Sequence, residues 1–176
     1  MSEHTAAVQE FVQVAHRVPP DAWLHPLSPG KWSPAEVTSH VSEAYAIMQQ
    51  ELRGGPGLRV RLSPWKRLVL RHTLLRRILA SGLFPNGARS PAEIRPREVP
   101  SDAVGGLAVL ETRATAFTSA LVEEAARRRV RLTHTYFGAL PARDALRLMI
   151  VHTRHHARQL VPATTRPPTA VPDTPT

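Results

Sequence analysis

Three histidines carry the clearest chemical signal in the chain. In the run HTRHHARQL, His152 and His156 stand four residues apart. On a helix that spacing projects both imidazoles from adjacent turns of one face, where their nitrogens can chelate one cation. The spacing alone leaves two other readings open, a solvent-exposed pair or a histidine satisfied within a core. His40 lies far off in sequence but inside an apolar stripe of its own, where an uncharged imidazole must find partners. Three imidazoles from two helices form a facial ligand set for one divalent ion, with water in the remaining positions, as in catalytic rather than closed structural sites. Such an ion lowers the pKa of a bound water or thiol and generates a nucleophile at neutral pH. The chain has no cysteine, so a thiol would have to arrive as part of a cosubstrate.

Neighbouring residues fall into place around that set. Glu43, one turn after His40, is either a carboxylate supporting the ligands, a general base, or a surface glutamate. Gln159 either orients a ligand or ends its helix. His155 points about 100° away from its neighbour and is read as a supporting or structural residue. Arg154 and Arg158 could hold a cosubstrate carboxylate, although a solvent face or pairing with acidic residues is the simpler expectation. His4, His16, His25, His72 and His134 have no spacing partner and receive no role.

These histidines need helices to position them, and the pattern supplies helices without a convincing strand. Ser2 to Val18 carries Val8, Phe11, Val12 and Ala15 as one stripe, which Pro19 and Pro20 terminate. Ser33-Pro34-Ala35-Glu36 places an N-cap serine, a proline at the first helical position and a capping-box glutamate. The second helix then presents Val37, His40, Val41, Ala44, Ile47 and Met48 on one face until the glycines from Gly54 onward break it. A further helical segment runs from Ser63 and Pro64 through Ala80 and closes at Gly82, and a proline-rich loop continues to Pro100. Ser90 to Glu93 matches a capping box by letter, but nearby prolines reduce it to a false match or a single turn. From Ser101 a helical period returns with Val104, Leu107, Leu110, Ala114, Phe117 and Leu121, ending near Arg127 to Arg129. The last helix starts near Pro141 and carries Ala145, Leu148, Met149, His152, His156 and Leu160 up to Pro162. The expected architecture is all-α: a four-helix bundle over residues 1–161, with an additional helical segment in the crossover. Residues 162–176, rich in Pro and Thr, are expected to be a disordered tail.

Composition narrows the function. A length of 176 residues with 42% hydrophobic content suits one domain. There is no apolar run of bilayer length, and residues 1–10 lack the basic start and apolar stretch of a secretory signal, so a cytoplasmic protein is expected. The net charge of +9 raises nucleic acid as a partner. Its arginines lie along amphipathic segments, such as Arg71, Arg76, Arg77 and Arg127 to Arg129, without a helix-turn-helix or interleaved aromatics, so a solvated basic face is preferred. Trp65 to Phe84 is apolar and basic enough for a membrane-surface helix, but packing on the bundle is the reading adopted, with no membrane partner.

PGKWSPAEVTSHV, with YFGALPARDALRLMIVHTRHHARQL near the end, resembles the DinB/YfiT-like superfamily of metal-dependent bacterial proteins over most of the chain. In that family a Trp-Ser start introduces the second helix, matched here by Trp32 and Ser33, and the first ligand histidine lies further along it, matched by His40. An H-x-x-x-H pair on the last bundle helix supplies the other ligands, matched by His152 and His156. The resemblance implies an up-down-down-up bundle with one long crossover, binding zinc, nickel or a similar divalent ion. The superfamily includes thiol transferases that use mycothiol or bacillithiol, and isomerases dependent on such thiols. The expected function is a metal-dependent transferase of a low-molecular-weight thiol acting on a small molecule. A metal-dependent hydrolase, or a non-catalytic bundle acting through dimerisation or a protein partner, are the alternatives.

Overall fold

The prolines and caps decide where each helix starts. The computed structural model describes residues 2–85 and 90–161, so the expected tail at 162–176 lies outside the described residues. Helix α1 (Ser2–Ala15) ends three residues before the expected Val18, and a 3-10 turn at Pro20–Ala22 comes next. Helix α2 (Pro34–Leu52) starts as the letters required: the Ser33 hydroxyl accepts from the Glu36 amide at 3.2 Å, and the Ser33 amide donates to the Glu36 carboxylate at 2.8 Å. These reciprocal bonds satisfy amides that have no partner inside the helix.

The crossover segment is helical as expected but not uniform. Helix α3 (Pro64–Leu70) leads through a π-helical turn at Arg71–Leu75 into helix α4 (Arg76–Ser81). Gly82 stops it with a φ of 67°, a left-handed conformation that glycine adopts without steric cost. Helix α5 (Ala103–Arg127) is capped by Asp102, whose carboxylate accepts from the Gly105 amide at 2.8 Å. Val104, expected on its apolar stripe, is instead 73% exposed, on the outward side of α5 with the exposed Ala108 and Glu111, while Gly106 and Leu107 in the same stretch are buried.

The expectation of an all-α chain needs correction. Strands β1 (Arg131–His134) and β2 (Gly138–Pro141) form an antiparallel hairpin, with Leu132 opposite Leu140 and His134 opposite Gly138. Leu132 and Leu140 face the core while Arg131 and Ala139 face out, the period-2 alternation of a half-buried ribbon. Four-residue strands are too short for that alternation to stand out beside the long helical periods. The hairpin leads directly into helix α6 (Ala142–Gln159).

The four long helices enclose the core. α2 packs along α5 and α1 along α6, with further contacts of α1 to α5 and of α2 to α6. Phe11, Val41, Tyr45, Leu107, Leu110 and Phe117 are fully or almost fully buried where they meet. α4 and both strands lie against α6, so the crossover and the hairpin border the helix that carries His152 and His156. No helix among the described residues is long and apolar enough to cross a membrane.

Candidate metal centre

α2 and α6 bring the three predicted histidines together. One ligand nitrogen from each of His40, His152 and His156 lies within 4.8 Å of the other two. The rings stand nearly edge to face, with centroids 4.5 to 5.0 Å apart. His40 and His156 are buried and His152 is half-buried.

Hydrogen bonds fix which nitrogens are free to act as ligands. His40 donates from Nδ1 to the Ile94 carbonyl at 2.6 Å, which leaves a lone pair on Nε2. His156 donates from Nδ1 to the Gln159 side-chain oxygen at 2.8 Å, again leaving Nε2 free. A histidine that donates its second N–H to a carbonyl or amide is the usual arrangement behind a metal ligand. Gln159 in turn donates from Nε2 to His155 Nε2 at 3.0 Å. His155 is therefore held beside the cluster by the same glutamine, in the supporting position expected of it.

Two features of the donor set fit a cation. The Nε2 atoms of His40 and His152 face one another at 3.1 Å. Two imidazole nitrogens so close are favourable only with a proton or a cation between them, and nitrogens sharing an ion at ~2.0–2.1 Å stand roughly 3.3 Å apart at tetrahedral angles. His152 also keeps a buried Nδ1 without a hydrogen-bond partner among the described residues, a sign that hydrogen bonding alone does not satisfy this ring. Burial lowers the pKa of all three histidines, and their mutual repulsion lowers His152 and His156 further. The rings are thus neutral at physiological pH, as ligation requires. The residues present can hold one divalent ion.

The cluster borders a cavity of about 550 Å³. Its walls are largely apolar, including Leu74, Phe84, Phe137 and Met149, with Trp32 stacked at a tilt 4.9 Å from His40 and Phe84 6.0 Å from His152. Lys31 is the one charged side chain, histidines aside, among the described lining residues.

Several residues resolve differently from one another. Glu43 pairs with Arg113 of α5 at 2.6 Å and does not line the cavity, so it is a partner of α5 rather than a base at the cluster. Arg154 binds Glu3 and Glu10 of α1 at 3.1 and 3.2 Å, and Arg158 donates to the Gly82 carbonyl at 3.2 Å. Neither arginine lines the cavity. Two histidines given no role are engaged. His4 Nε2 lies 2.9 Å from the Tyr45 hydroxyl, which is 2.7 Å from the Thr153 hydroxyl, a buried polar chain tying α1, α2 and α6. His134 lines the cavity from β1, stacks on Phe137 at 4.5 Å, and accepts the Tyr136 amide on Nδ1 at 3.2 Å. Nothing in helical spacing could reveal it. The Ile94 carbonyl, from a 3-10 turn at Ala92–Ile94 inside the proline-rich loop, was equally hidden, because a backbone acceptor has no residue signature.

The fold and the site together define a helical bundle whose second and last long helices bring three histidines to an apolar cavity, a donor set that could hold a metal ion. The family model described as the DinB superfamily matches residues 3–160, and the chain belongs to that superfamily. No curated protein and no solved structure matches it.

Proposed function

We propose that this DinB superfamily protein is a metal-dependent transferase that joins a low-molecular-weight thiol, of the mycothiol or bacillithiol type, to a small electrophilic molecule in the cytoplasm. The observation that carries the reading is the meeting of three neutral imidazoles at an apolar cavity in a chain without cysteine. Zinc or nickel suits three nitrogen donors with open positions, and the long helices would run up-down-down-up around them. An ion held there supplies Lewis acidity that lowers the pKa of a coordinated thiol or water.

The chain's own residues do the rest. Ile94 and Gln159 hold His40 and His156 in the tautomer that presents Nε2. Trp32, Phe84, Phe137 and Met149 exclude water, which strengthens electrostatic interactions inside the cavity. Lys31 is the cation placed to meet a carboxylate of the cosubstrate. In the net reaction the thiol gives up its proton to solvent, a carbon–sulfur bond forms, and the leaving group departs as an anion with the carbon's former bonding pair. No carboxylate is among the described lining residues, so the general base that a hydrolytic route would use is not supplied by an aspartate or glutamate there.

Metal-loaded protein should accelerate conjugation of bacillithiol or mycothiol to an alkylating electrophile, read by chromatography of the thioether. His152→Ala should remove the acceleration while helical circular dichroism persists. Acceleration that survives metal removal, or metal-dependent hydrolysis with no thiol present, would count against the reading; the second result would assign the same centre to water activation.

A further inference from the structure

None of the described basic residues in the most lopsided stretch of the chain lines the cavity beside the histidines. Residues 52–92 contain nine of the 23 basic residues and none of the 14 acidic ones, so the remainder is balanced at fourteen of each sign. This one crossover segment accounts for the whole net charge of +9. Four arginines elsewhere form ion pairs, Arg127 and Arg128 with Glu123 and Glu124, Arg154 with Glu3 and Glu10, and Arg113 with Glu43, and within the crossover Arg61 pairs with Glu93. In the crossover, Lys66, Arg76 and Arg77 are exposed and form no ion pair among the described residues.

The same stretch turns apolar side chains outward. Trp65 is 71% exposed, Leu68 47% and Val69 43%, and Leu83 just beyond α4 is 52% exposed. Spacings of three and four residues place Trp65, Leu68, Val69 and His72 along one stripe of the helix. The opposite side is already occupied: Leu75 and Ile78 are buried, and Leu70, Leu74 and Leu79 pack against the core. Packing on the bundle, the sequence-based expectation, therefore accounts for one face only. A tryptophan, two aliphatic residues and flanking cations on the outward face match the composition of helices that lie in a membrane interface.

We propose that the outward face of α3 and α4 docks on an anionic membrane surface, with Trp65, Leu68 and Val69 in the headgroup region and Lys66, Arg76 and Arg77 against lipid phosphates. Charge complementarity selects this occupant. A second copy meeting the same face across a two-fold axis would set these cations against their own images. A nucleic acid would answer the charge but leave the aliphatic side chains in water. The inner side of the segment, through Leu74, Ile78 and Phe84, lines the cavity, so the docked face and the cavity share one element.

The test is co-sedimentation of the full chain with vesicles of phosphatidylcholine, alone or mixed equally with phosphatidylglycerol, together with tryptophan emission. Binding should require phosphatidylglycerol and should shift emission to the blue, a shift lost in Trp65→Phe. Lys66→Gln, Arg76→Gln and Arg77→Gln combined should weaken partitioning more than roughly tenfold, since each cation near an anionic surface is worth about fivefold. Trp65→Ser, Leu68→Ser and Val69→Ser combined should do the same. All six positions are exposed, and circular dichroism should stay native in both variants. Four results would each overturn the proposal. These are no preference for phosphatidylglycerol, binding unchanged by the apolar substitutions, duplex DNA bound as tightly as vesicles, or a dimer that Trp65→Ser dissociates.

Discussion

A buried imidazole is cheap to keep neutral and costly to protonate, and this chain holds several. Burial lowers the pKa of His4 to about 4, and burial lowers His134 to about 4 as well. The unfolded chain takes up these protons near pH 6.5, the folded chain only near pH 4. Stability attributable to them is therefore complete above pH 6.5 and lost as pH falls from 6.5 towards 4. For His4, only 3% exposed, the loss by pH 4 is about 3 kcal/mol. Urea denaturation of metal-free protein across that range should show the decline, and His4→Gln should make it shallower; a flat profile in the parent chain would contradict it. At this scale the sequence was legible where residues repeat at helical spacing. His152 and His156 could be paired by their positions, and His40 by its place in an apolar stripe. The contributions of His134 and of the Ile94 carbonyl depend on a strand and a loop brought to α2 and α6 by tertiary packing.

Elements that begin with explicit chemistry were the easiest to read. The Ser33–Glu36 capping box was found where its letters stood, while at Ser90–Glu93 only a 3-10 turn over Ala92–Ile94 forms, with no side-chain cap bond. Their surroundings separate the two: a sustained apolar period runs on from Ser33, whereas prolines crowd Ser90. The box orients the helix that delivers His40, two turns further on. Ser33→Ala should cost about 1 kcal/mol in chemical denaturation, the usual value for a lost N-cap. A change near zero would show that α2 is fixed by tertiary contacts alone. The hairpin was missed because β1 and β2 have four residues each, and because Tyr136, Phe137 and Gly138 at its turn mimic the approach to a helix start. Gly138, with a φ of 68°, is the residue that allows the reversal. The π-helical turn at Arg71–Leu75 has no signature in spacing at all.

For the molecule as a whole, the core closes without help from the histidine cluster. Phe11, Tyr45, Leu110, Phe117 and Leu148 join the four long helices into one buried cluster, as a chain of this length can do from its own apolar residues. An ion bound only by the native state adds to that stability by mass action, about 3 kcal/mol at a free concentration one hundred times its Kd. A chelator should therefore lower the melting temperature while leaving helical circular dichroism intact at 25 °C. Loss of helix at that temperature would make the ion a structural requirement. The central claim is that His40, His152 and His156 together hold one divalent ion, and elemental analysis of tag-free protein and its variants tests it most directly. The account predicts one divalent ion per chain in the parent and in His155→Ala, and none in His40→Ala, His152→Ala or His156→Ala. A parent chain without stoichiometric metal would contradict it, as would a site that survives His156→Ala and is lost in His155→Ala.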